Sequence, residues 1–170
     1  PNTVAVAVAN IQSQVNHPRT MPVKTFLSLI TAAFLALSAN TQASEPENYI
    51  KYRQAMMKAI GGHMGAASQI VRGKVTPDGD LLMHALALAE LSRNLTRLFP
   101  EGSDFGETKA KEEIWDQWSK FEQAAADAKQ ATADFAAAAG GGEPRQIANA
   151  FKAVGKSCKG CHKEFRQKDD

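Results

Sequence analysis

The chain has 170 residues and a formal net charge of +2, a length that suits one domain of ordinary size. Two of its basic residues, Arg19 and Lys24, precede Glu45, so the remainder balances 18 basic against 18 acidic residues and gives no electrostatic ground for nucleic-acid binding. Its two cysteines could form a structural disulfide in an oxidising compartment.

Residues 1–20, PNTVAVAVANIQSQVNHPRT, lie ahead of a serviceable initiator, Met21, and read as upstream or mis-started sequence outside the fold. From Met21 the chain runs MPVKTFLSLITAAFLALSANTQA, with one Lys, an apolar run from Phe26 to Leu37, and small or polar residues up to Ala43. A short basic region, an apolar region of about 7–15 residues and a small-residue cleavage site make a secretory signal peptide. The apolar run falls short of the roughly 20 residues that a spanning helix requires. The expectation is cleavage after Ala43, export to the periplasm, no stable membrane insertion, and a folded domain over 44–170.

After Glu45 no stretch alternates with period two, whereas four long segments keep apolar residues at steps of three and four, so the fold class is all-α. The first segment, about Glu47 to Lys74, aligns Ile50, Met57, Ile60, Met64, Ala67 and Val71, and Arg53 falls on the same stripe. Met56 is about 100° around that helix and is expected to face away. His63 lies off the stripe and reads as a surface histidine. The second segment starts after Pro77 and Asp78 and is expected to reach Phe99, with Leu82, Leu91 and Leu98 on a second apolar edge. PEGSDFG, 100–106, is a turn by composition.

The third segment carries Ile114, Trp118, Phe121, Ala125, Ala128 and Phe135, with Trp115 and Trp118 as packing residues. Its alanine-rich tract, 124–139, favours helix and either close approach or room for a bulky group. GGGEP, 140–144, stops it, and Pro144 suits the first turn of the fourth segment, which carries Ile147, Phe151, Val154, Cys158, Cys161 and Phe165. Short joints make consecutive helices antiparallel, and steps of three and four favour near-aligned packing. The architecture expected is an antiparallel up-down-up-down four-helix bundle.

CKGCHKEFR, 158–166, holds both cysteines. On a helix Cys158 and Cys161 are i and i+3 and His162 is i+4, so one turn presents two sulfurs and an imidazole to the same object. CxxCH is the attachment signature of c-type haem, with two thioethers and an axial histidine. Three alternatives stand beside it. A structural zinc site normally takes four protein ligands, and only His63 and His84 remain after the leader. A redox CxxC is expected near a βαβ pattern, which is absent from the sequence. A disulfide closing so short a loop constrains little of the unfolded chain.

GKSCKGCHKEFR at the C-terminus, YIKYRQAMMKAIGGHMGA at 49–66 and EIW at 113–115 resemble the cytochrome c′ family over nearly the whole mature chain. The resemblance implies haem c carried on the C-terminal helix of a four-helix bundle. In the family's high-spin members the residue three after the Gln of YRQ is apolar, often Leu, and the five-coordinate iron binds NO or CO. Here that residue is Met57, and Met/His ligation is the electron-transfer arrangement. The sequence thus resembles the low-spin, methionine-ligated, cytochrome c-556-like branch. Cys158 and Cys161 become the covalent anchors, and His162 and Met57 the axial iron ligands.

Arg53, one turn before Met57 on the inward stripe, is costly to bury unless paired with an anion, and a haem propionate is such an anion. Arg166 matches a basic position of the family motif, against the plainer reading of a surface arginine. The expected function is that of a periplasmic electron carrier, not an enzyme, with NO- or CO-binding as the alternative. Between Arg145 and Lys168 the last segment has seven basic residues and one acid, Glu164, which reads first as a solvated face and second as a basic rim that could steer an acidic redox partner. The Leu82, Leu91, Leu98 edge supplies either a homodimer surface or extra core.

Overall fold

The computed structural model describes residues 46–168. The expected upstream segment and the expected signal peptide, 1–43, therefore lie outside the described residues. Four long helices make an antiparallel bundle: α1 (Pro46–Val71), α2 (Asp80–Ser92), α4 (Trp118–Ala139) and α5 (Pro144–Phe165). Between the second and third of these, a 3-10 turn (Leu95–Leu98) and the single-turn helix α3 (Glu113–Asp116) punctuate a long crossover.

Local chemistry sets the ends. Past α1 the chain turns at Gly73, φ 65°, where the amide of Gly73 donates to Ile70 O at 2.8 Å and that of Lys74 to Gln69 O at 2.8 Å. This is the Schellman arrangement, and its left-handed position favours a residue without Cβ. α5 begins with Pro144 in its first turn, and the Glu143 amide donates to Gln146 Oε1 at 3.1 Å.

Two expected boundaries move. α2 stops at Ser92 instead of Phe99, because Asn94 leaves helical geometry at φ −147° and ψ 60° and Leu95–Leu98 tighten to 3-10. Leu98 is thereby turned inward and is core, 4% exposed, not part of an outer edge. The third segment likewise breaks at Gln117, φ −120° and ψ 43°, which separates α3 from α4.

The core has two parts. One joins Ala67 of α1, Ala85 and Leu88 of α2, Phe135 of α4 and Val154 of α5. The other joins Leu98, Phe99, Ile114, Phe121 and Phe165, with the ring pairs Phe99–Phe121 at 4.7 Å and Phe121–Phe165 at 5.4 Å between centroids. Met56, expected to face away, instead packs half-buried against this second cluster, as do Trp115 and Trp118. α4 packs closely on both α2 and α5, and α2 on α1, whereas α1 and α5 scarcely touch. The gap between α1 and α5 holds the candidate site.

Candidate haem site

A cavity of about 820 Å³ opens between α1 and α5, within the roughly 300–1,000 Å³ range of cofactor pockets. It is lined by every site residue the sequence singled out: Arg53 and Met57 from α1, Cys158, Cys161 and His162 from α5, and Arg166 just beyond. Ala124, Ala125 and Ala128 of the alanine-rich tract form part of its wall, so small side chains there make room, as their composition suggested.

The thiols are free, half-buried, and divided between the two core clusters, Cys158 packing against the first and Cys161 against the second. Burial raises the pKa of both. For Cys161, desolvation first, then Cys158 and Glu164, push it up to about 11. His162 keeps an exposed surface, yet partial desolvation at the cavity wall and the charge of Arg166 lower its pKa. Its imidazole is neutral at pH 7, with a lone pair available to a metal. From α1, Met57 reaches the cavity half-buried against the second cluster, and Met64, seven residues on, lines it against the first.

Arg53 is 4% exposed. Its Nη1 donates to Leu98 O at 3.2 Å and Ser103 Oγ at 3.0 Å, and its Nη2 to Ser103 O and Thr108 Oγ1, both at 2.8 Å. The guanidinium also stacks over Phe99, 4.7 Å from the ring centre. The premise that only an anion could satisfy this buried cation is therefore corrected: four neutral oxygens of the crossover do so. Burial still lowers the Arg53 pKa through desolvation, but the side chain stays charged, as an arginine does.

The crossover is pinned on its far side too. Lys111 N donates to Phe165 O at 3.1 Å and Gln167 N to Lys109 O at 2.8 Å, around a bridge between Ala110 and Arg166. These ties hold Phe99, Thr108 and Ala110 against the cavity. Neither tie was visible in the sequence, because the partners lie some 45 to 58 residues apart.

The donor set fits a covalent haem. Two free thiols and a neutral imidazole stand on one wall and a thioether on the facing one. A Cβ added at Gly61 or Gly155 would meet nothing within 4 Å, so the space between the helices is open. Arg53, Lys58, Lys109 and Arg166 bring cations to the wall and, among the described residues, no carboxylate lines it, which suits a group bearing two propionates. The zinc alternative finds no support, since among the described residues no group of three or more His, Cys, Asp or Glu could hold a metal ion.

A helical bundle that presents CxxCH to such a cavity is a c-type haem protein. Residues 48–166 match the family model described as Cytochrome C′, and the chain belongs to that family, whose members carry covalently attached haem c. Cytochrome c′ of Pararhodospirillum photometricum is 37% identical over 125 residues, 73% of this chain and 100% of that protein. Cytochrome c-556 of Agrobacterium tumefaciens is 32% identical over 121 residues, 70% of this chain and 97% of that protein. A nitric oxide complex of a variant cytochrome c prime from Alcaligenes xylosoxidans superposes with a TM-score of 0.70 at 29% identity, covering 75% of this chain and 100% of that one. Proteins of this family are generally periplasmic and often dimeric. No helix among the described residues is long and apolar enough to cross a membrane.

Proposed function

We propose that the protein is a periplasmic electron carrier in which Cys158 and Cys161 anchor haem c and His162 and Met57 are the axial ligands. What supports this reading is that Met57 and His162 line the same cavity from facing helices. When bound there, haem c supplies a one-electron iron couple, and a Met/His ligand pair raises its potential. The chain's own residues provide the rest. Cys158 and Cys161 fix the group at two points, and neutral His162 offers a nitrogen lone pair. Met57 fills the facing position with a soft sulfur that shuts out small ligands. The apolar wall of Ile114, Phe121 and Phe165 excludes water, and the cations at Arg53 and Arg166 offset propionate charge.

The basic face of α5, with Lys152, Lys156, Lys159 and Lys163 exposed, would steer an acidic redox partner to the edge of this site. On α2 the exposed Leu82, Met83 and Leu86 offer a surface for a second copy.

A second reading, NO or CO binding, has a specific observation in its favour: the Alcaligenes relative of the same fold is seen as a nitric oxide complex. Met57→Leu separates the two. If Met57 is the ligand, the reduced variant turns high-spin and binds CO where the parent does not. A variant that stays low-spin and inert to CO would remove Met57 from the iron.

A further inference from the structure

α1 carries Met57 and walls one side of the cavity, yet it has little contact with α5, so its packing on α2 and its side-chain ties set its position. Side-chain hydrogen bonds tie it at two levels. Before Met57, Arg53 binds the crossover and Gln54 Nε2 donates to Glu107 O at 2.7 Å. Beyond Met57, His63 meets His84 of α2 with their Nδ1 atoms 2.9 Å apart. The expectation of a surface histidine is thus corrected: His63 is half-buried at a helix seam.

The ring centroids are 5.2 Å apart, hardly more than the N···N distance plus one centroid-to-nitrogen radius on each side, so the two nitrogens point at each other. That alignment requires one ring to donate N–H and the other to accept. A neutral pair satisfies it, and so does a pair with one extra proton on the donor's Nε2. A pair protonated on both Nδ1 atoms does not, because two donors then face each other and two cations share the seam.

Little nearby would stabilise that second charge. On α1 the residues a turn from His63, namely Ala59, Ile60, Ala66 and Ala67, are uncharged. On α2, Asp80 is the charged side chain one turn from His84. The core cluster that holds their helix neighbours Ala67 and Ala85 draws apolar Phe135, Ala136 and Phe151 from α4 and α5.

We propose that the His63–His84 pair is a proton-sensitive strut that positions α1, and through it Met57, against the cavity. With the pair hydrogen-bonded, Met57 keeps its place. With both rings protonated, α1 is released and the distal side opens to a diatomic gas. This rests on Met57 being the iron ligand.

The test uses the reduced holoprotein, titrated with CO at about pH 8 and about pH 4, acid enough to add the second proton beside the first. Amide exchange over residues 57–67 is measured alongside. The parent should bind CO at least about tenfold more tightly at the lower pH. His63→Gln, whose amide can donate to or accept from His84 in either protonation state, should stay closed at both. His63→Ala should bind CO at both. A pH step that persists in His63→Gln, or a His63→Ala variant as closed as the parent, overturns the strut. If the parent already binds CO fully at pH 8, Met57 is not the ligand, and exchange alone decides. His63→Ala must then exchange about tenfold faster than the parent and His63→Gln must not; equal rates overturn the proposal.

Discussion

Replacing Arg53 by Met keeps most of the buried stem and removes the guanidinium. Four hydrogen bonds of 2.8 to 3.2 Å disappear, two of them to the main-chain carbonyls of Leu98 and Ser103. Each carbonyl left without a partner in the interior costs about 1–3 kcal/mol, and the two hydroxyls lose less because they can turn. Ser103 Oγ already donates to Pro100 O at 2.8 Å and keeps that bond. Against this stands the relief of no longer burying a cation, so the net loss is about 3 kcal/mol, near the lower end for breaking a buried charged network. Arg53→Lys, which keeps the charge but not the fork, should lose about half as much. Urea unfolding of the holoprotein measures the loss, and amide exchange locates it: residues 98–108 should lose protection while α4 keeps its own. A loss under about 1 kcal/mol with unchanged exchange in 98–108 would refute the clamp and leave Arg53 a propionate partner alone.

Phe135 is fully buried in the cluster away from the crossover, and Phe135→Ala should cost about 3–5 kcal/mol in urea unfolding while the visible spectrum stays that of the parent. In the haem-free folded chain, Cys161 with its pKa near 11 is about one part in a thousand thiolate at pH 8, so iodoacetamide should alkylate it about a hundredfold more slowly than in urea. The same raised pKa means the folded chain holds that proton longer than the unfolded one. Stability from this group is complete below about pH 9 and is lost as pH rises through about 11, which acid-to-base unfolding scans of the haem-free chain would reveal. Leu86, 54% exposed on α2, should be central to self-association, and Leu86→Asp should shift sedimentation velocity from dimer to monomer; an unchanged dimer would move the interface elsewhere.

Much of this architecture was legible because it is local. The stripe from Ile50 to Val71, the Pro144 start of α5 and the one-sided Cys158, Cys161, His162 cluster all follow from helical spacing and end signals. The α2 boundary was not, since Leu95, Leu98 and Phe99 continue the apolar pattern after the helix has ended, and nothing in Arg93-Asn94 announces the tightening to 3-10. Gln117 breaks α3 from α4 without Gly or Pro for the same reason: tertiary packing of Ile114 and Trp118 decides it. Arg53 was recognised as odd, but its partners belong to a crossover whose path only the fold defines. His63 was misjudged because its partner, His84, lies on another helix, and periodicity within one helix is silent about that.

In the proposed carrier, Met57 closes the iron on the side opposite His162. The most direct test is the visible spectrum of the reduced protein at neutral pH, before and after CO. With Met57 on the iron, the spectrum is low-spin and CO leaves it unchanged. A high-spin spectrum that shifts on CO addition would contradict it and make the protein a gas-binding member of its family.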